Sequence, residues 1–153
     1  MNGLTSSTNM NVGQVVIPAP ITVNKVTIRV DVVSVAGTMD ISLYTEDGQT
    51  QVFSVTTASI SSAGFKTTAV SSVLVQPGIY YIAINSNSTA NLDIAGYTSS
   101  AGSNNNFVGW STLSSEPTLE GSVTITADTP PATITPESIS SAVARTLVIR
   151  LDN

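Results

Sequence analysis

The side chains best suited to chemistry are the carboxylates Asp40, Glu46, Asp47, Asp93, Glu116, Glu120 and Asp128. Two carboxylates at a fixed separation suffice for glycoside hydrolysis, one as general acid and the other as nucleophile or base. No spacing in the sequence pairs two of them, and solvated acids on loops and strand edges are the plainer reading. Histidine and cysteine are absent. That removes Ser-His-Asp and Cys-His catalysis, zinc held by His or Cys, and any disulfide framework. Glu46-Asp47-Gly48 could contribute to a calcium site, yet it lacks the alternating ligands of a calcium loop and reads better as a hairpin turn. The expectation is a protein with no enzymatic activity and no cofactor.

Aromatic residues offer a second chemistry. Tyr44, Tyr80, Tyr81, Tyr97 and Trp110 could stack on sugar rings, whose CH groups pack on aromatic faces as other apolar surfaces do. Core filling competes with this reading for each of them. Tyr80 and Tyr81 are adjacent and so point to opposite sides of a strand. Trp110 follows an Asn-rich loop, so the candidate glycan-binding set is Trp110, Tyr97, Asn104, Asn105 and Asn106. The sequon Asn87-Ser88-Thr89 is present, but the leader Met1-Asn2-Gly3-Leu4-Thr5-Ser6 lacks the basic start and apolar run of a signal peptide.

The 153-residue chain is 41% hydrophobic and 10% charged, with a net charge of -5. Its polar residues are mostly Ser, Thr, Asn and Gln. One domain with a single core is expected at this length. The acidic balance opposes nucleic acid and anionic membranes as partners. Lys25, Arg29, Lys66, Arg145 and Arg150 are too dispersed in sequence to form a patch. No apolar run is long enough to span a bilayer as a helix.

These residues must be positioned by strands. Residues 1–13 read as a polar arm, and residues 14–153 as the folded domain. Asn9, Met10, Val12 and Val15 are the candidate residues by which the arm and its junction clasp a neighbour. Pro18 and Pro20 confine the stretch from Gln14 to an edge strand. Val26, Ile28, Val30 and Val32 alternate with Lys25, Thr27, Arg29 and Asp31, the period of a half-buried strand. Met39-Ile41-Leu43, Val52-Phe53-Val55, Phe65 to Val70, Leu92 to Ala95, Val123 to Thr126 and Thr146 to Leu151 predict further strands. Pro77-Gly78 predicts a type II turn, with positive φ at Gly78. The β-formers that follow, Ile79 to Ile84, have two apolar faces, so their strand should lie mid-sheet and be covered on both sides. Helix should be minor, with Pro136-Glu137-Ser138 able to open one turn. The fold class is all-β, a single sandwich of about eight strands of jelly-roll type.

Val16 to Val30, with Pro18 and Pro20, followed by Ala36-Gly37 and Asp40-Ile41-Ser42-Leu43-Tyr44, then Leu74-Val75-Gln76-Pro77-Gly78-Ile79-Tyr80-Tyr81-Ile82-Ala83, resemble a domain of tailed-bacteriophage tail-fibre and minor virion structural proteins. That family carries a proline-bearing opening strand, an aliphatic-Tyr strand end and an aliphatic-x-Pro-Gly-x-Tyr-aromatic strand in this order. Arg145 to Leu151 is similar to its final strand. The resemblance implies a virion protein, assembled in the host cytoplasm, with itself (a homotrimer) and capsid or tail proteins as partners. Because the matched part begins near Met1, a capsid decoration protein or short fibre component is expected. A receptor-binding module taking a host surface glycan is the alternative.

Overall fold

The computed structural model describes residues 3–4, 8–87, 91–94, 96–98, 120–126, 128–139, 145–147 and 149–153. Its strands are β1 (Gly3–Leu4), β2 (Asn9–Ile17), β3 (Ile21–Val35), β4 (Met39–Thr45), β5 (Gln51–Thr56), β6 (Gly64–Val75), β7 (Gly78–Ser86), β8 (Asn91–Ile94), β9 (Gly96–Thr98), β10 (Glu120–Thr124), β11 (Arg145–Leu147) and β12 (Ile149–Asp152). They build a sandwich of two antiparallel sheets. Sheet A runs β1-β8-β3-β12, with β6 also paired to β3, and sheet B runs β10-β2-β7-β4-β5. A small ladder joins β9 and β11. Between sheets A and B the chain crosses after β1, β2, β3, β5, β6 and β7.

The alternation along β3 places Val26, Ile28 and Val30 in the core, against Met39, Ile41 and Leu43 of β4 and Tyr80, Ile82 and Ile84 of β7. Each such side chain, taken fully out of water, contributes about 1.5–3 kcal/mol. Strand β7 is central in sheet B, between β2 and β4. Its other face carries Tyr81 and Ala83 into a second cluster with Met10, Val12, Tyr44, Ile125, Ile134 and Ile139. The two tyrosines therefore serve opposite faces, and β7 is covered on both. Among the described residues the outer cover comes from 125–126 and 128–139, with one turn of 3-10 helix at Pro136–Ser138; we call it the strap.

Several expectations are corrected. Asn9 to Gly13 is not an arm but half of β2, paired to β10 on one side and, from Asn11, to β7 on the other. Met10 and Val12 are fully buried, and Val15 packs against the main core. The boundary expected after residue 13 thus falls inside a strand. The sequence misleads here because polar residues flank this segment and Asn11, buried on the opposite face, alternates with Met10 and Val12. Pro18 and Pro20 lie in the exposed connection between β2 and β3, after Gln14 to Ile17, which among the described residues pair with β7 alone.

Gly78 has no positive φ, a conformation that, among the described residues, belongs to Gly48 and Gly64. The connection at Pro77 crosses from β6 in sheet A to β7 in sheet B, and without positive φ at Gly78 it is not the type II turn expected. Tyr80 Oη closes the corner by donating to the Gln76 carbonyl at 2.9 Å. The expected terminal strand is divided, β11 pairing with β9 and β12 with β3.

Candidate functional site

The carboxylates are spread over the described surface. Asp47 caps its own turn, accepting from Thr45 Oγ1 at 2.6 Å and from the Gln49 amide at 3.0 Å. The Thr45 hydroxyl, then the Gln49 amide, hold its carboxyl below the usual range. Glu46-Asp47-Gly48 is therefore a hairpin turn between β4 and β5. Asp40 accepts from Thr56 Oγ1 at 2.5 Å across the same two strands. Asp128 and Glu46 are exposed. Glu116 lies outside the described residues, and Asp93 and Glu120 are placed by backbone alone. Among the described residues, no three His, Cys, Asp or Glu side chains gather as a metal site would require.

Of the glycan-binding candidates, Trp110, Asn104, Asn105 and Asn106 lie outside the described residues. Tyr97 is placed by its backbone in β9, opposite Thr146. Asn9, Met10, Val12 and Val15 belong to β2, where Met10 and Val12 have no surface to offer a neighbour. The tyrosines that are described are core residues with tied hydroxyls. Tyr44 Oη donates to the Pro131 carbonyl at 2.7 Å and accepts from Gln51 Nε2 at 3.1 Å. Burial raises the phenol pKa of Tyr44 and Tyr81.

What the structure does assemble is a face that sequence separation hides. On the solvent side of sheet A, Arg29 lies opposite Phe65, Thr27 stands between Thr67 and Arg150, and Lys25 stands between Ala69 and Asp152. Three of the dispersed cations thus share one surface. Arg150 Nε binds Asp152 at 2.7 Å, and Arg29 Nε binds Asp31 at 3.3 Å. Thr27 Oγ1 lies 3.0 Å from Thr67 Oγ1 and 3.2 Å from Asp152 Oδ2, which buries a threonine expected on the wet face. Such exposed ion pairs stabilise the fold by about 0–1 kcal/mol each, so fold stability alone gives little reason for the pattern.

Two large apolar side chains stand out from this surface, Phe65 at 74% and Leu74 at 58% exposure. Both belong to β6, a 12-residue strand with one charge, Lys66, and no proline. One edge of β6 pairs with β3. Among the described residues, no strand pairs with the other edge. Long, weakly charged edges of this kind are templates for another chain.

No family model, curated protein or solved structure matches this chain. The reading of this face therefore rests on its own chemistry. It lacks the cationic density of a nucleic-acid surface, since two of its three cations are paired to acids. Exposed apolar groups, neutralised charges and a strand edge that no described strand pairs suit a protein surface.

Sequence alone could not find this face. Alternation marked Lys25 and Arg29 as outward, but Phe65 and Arg150 join them through strand register, which no local pattern encodes.

Proposed function

We propose that this chain is a non-enzymatic structural protein of a bacteriophage virion. It sits on the outer particle surface, as a capsid decoration or short fibre component, and works through contacts with copies of itself and with capsid or tail proteins. The observation carrying this reading is the outward face of sheet A, where Phe65 and Leu74 project beside charge pairs and a strand edge that no described strand pairs. Support for the virion setting comes from the motifs at Val16–Val30, Asp40–Tyr44 and Leu74–Ala83. The hydroxyl-rich, weakly charged composition also suits surfaces that pack against like copies without repulsion.

The test is to raise antibodies against the recombinant chain and apply them to purified particles of the phage whose genome encodes it. Gold label on the particle surface, with the chain present in the particle proteome, is the expected result. Absence from the proteome overturns the reading. Binding on a glycan array that Trp110→Ala abolishes would replace it with the receptor-binding alternative.

A further inference from the structure

We infer that Asp40, Asn85 and the peptide carbonyl of Asp128 form a calcium site, at which one cation fastens the strap to sheet B. The inference stands apart from the virion reading, since it concerns the opposite face of the sandwich. Strand register sets Asp40 of β4 between Thr56 of β5 and Asn85 of β7. Their neighbours Ile41, Val55 and Ile84 face the inner core, so this row lies on the outer side of sheet B. The strap passes over it at Asp128, whose carbonyl accepts from Asn85 Nδ2 at 2.8 Å.

Asn85 is the residue that points to a ligand. It is 0% exposed, yet its carboxamide oxygen has no hydrogen-bond partner among the described residues, an arrangement that buried acceptors rarely tolerate. Its nitrogen is only partly better placed. The contact to Asp128 is good, but Asp40 Oδ2 lies 3.5 Å away, the far limit of a hydrogen bond. A half-turn of the carboxamide exchanges its oxygen and nitrogen without moving the chain. The oxygen then stands 2.8 Å and 3.5 Å from two others that also accept. Three such oxygens repel one another unless a cation lies among them. Around calcium, oxygens held at 2.3–2.6 Å in a pentagonal bipyramid lie about 2.7–3.7 Å from their neighbours, and both separations fall within that span. The inner end of the carboxamide lacks a partner in either orientation, so the turn gives up only the bonds that the cation replaces.

Charge favours a cation at this place. Asp40 spends Oδ1 on the Thr56 hydroxyl, which leaves Oδ2 for a metal. Among the described residues both ion pairs lie on sheet A, and no Lys or Arg pairs with Asp40. Strands β2, β4, β5, β7 and β10 and the strap contain no Lys or Arg, but they carry Asp40, Glu46, Asp47, Glu120, Asp128 and Glu137. A surface of one sign draws in counter-ions. Asp40 is half-buried and Asp128 exposed, so solvent reaches the site and water can complete the shell. A site built from acidic side chains alone would need three of them, and no such group gathers among the described residues. Calcium takes amide and peptide carbonyls in their place, whereas magnesium demands a near-ideal octahedron and keeps its own water.

The test uses the full-length native chain, freed of metal with EDTA and dialysed. Isothermal titration with calcium chloride should show one site per chain, with a Kd of about 10⁻⁴–10⁻³ M, the range of calcium sites with few charged ligands. Calcium at about 10 mM should raise the Tm by at least about 2 °C over magnesium chloride at equal ionic strength. The side-chain amide signals of Asn85 should shift during the same titration. Asp40→Asn, which keeps an oxygen for Thr56 to bond, should weaken calcium binding at least about tenfold.

Asn85→Asp separates the site from a plain hydrogen bond. If Nδ2 serves only as a donor, the variant is destabilised with or without calcium. The site instead requires a Tm that falls in EDTA and is restored by calcium, with affinity raised at least about threefold by the added charge. Should this variant not fold, the native titration and Asp40→Asn decide. No calcium-specific heat or Tm shift, an equal response to magnesium, affinity unchanged in Asp40→Asn, or a folded Asn85→Asp that calcium does not restore overturns the inference.

Discussion

Gly48 shows how much one residue can decide. Its φ is +68°, and a Cβ added there would lie 2.2 Å from the Ile134 carbonyl oxygen. The Ile134 amide also donates to the Gly48 carbonyl at 2.9 Å. The turn between β4 and β5 and the strap therefore meet backbone to backbone, so relief would need the chain itself to move. Gly48→Ala is expected to lose more than about 2 kcal/mol, read as a lower urea midpoint; an unchanged midpoint would mean that the strap simply moves aside. The buried tyrosines set a pH limit in turn. With the phenol pKa of Tyr44 and Tyr81 raised on folding, both state populations hold their protons below pH 10, the unfolded value. Above it the unfolded phenols ionise first, so stability should fall as pH climbs, by up to about 1.4 kcal/mol per pH unit per tyrosine. Urea midpoints at pH 8, 10 and 11 measure the fall, and Tyr81→Phe should shallow it. Asp47 acts at the other end. Its lowered pKa contributes stability present above the unfolded carboxylate value and lost as pH drops through the folded one.

At the scale of elements, β2 and β7 differ in how plainly they can be read, although they are neighbours in one sheet. Ile79 to Ile84 declares a two-faced strand because nearly every residue is a β-former, and the structure covers both faces. β2 interleaves Met10, Val12 and Ile17 with Asn11 and Gly13, and a buried Asn11 at 8% exposure reads as surface until its neighbours are known. The strap is obscure for a related reason. Ile125, Ile134 and Ile139 have no period, because irregular backbone brings them onto the sheet. What secures it is a set of bonds to its carbonyls, from Tyr44 and Gln51 to Pro131 and from Asn85 Nδ2 to Asp128 at 2.8 Å. The candidate face is least legible of all, since it depends on register among β3, β6 and β12. Truncation separates the strand reading of β2 from the arm reading. Removing residues 1–7 should leave the β spectrum intact, whereas removing residues 1–13 deletes Met10, Val12 and the β10 pairing. Large-to-small changes at such buried positions cost about 2–5 kcal/mol each, so losing Met10 and Val12 together with the β10 pairing should cost as much as a domain's total of about 5–15 kcal/mol, and the longer deletion should not fold. A folded product of that deletion whose association with particles or with itself is weakened would restore the arm.

For the whole molecule, sheet B is the shared wall of two apolar clusters of unequal security. The inner cluster lies between two hydrogen-bonded sheets and draws on β2 through β8. The outer one is sealed by the strap, whose described backbone bonds to the rest of the chain are those of Ile125 to Thr8 and Ile134 to Gly48. Proteins open in cooperative units, and a segment with few backbone bonds opens before the sheet beneath it. The strap should thus be released as a unit while the sandwich persists. Native-state hydrogen exchange would show this as protection of the Ile125 and Ile134 amides at least about 2 kcal/mol below that of the β7 amides. Ile139→Ala, which trims the outer cluster, should lower the strap amides further and leave those of β7 near their original values. The opposite face would be unaffected, because Phe65 and Leu74 lie across the inner core from the strap. Equal protection at Ile134 and in β7 would mean a single cooperative body, with the strap as integral to the fold as β2.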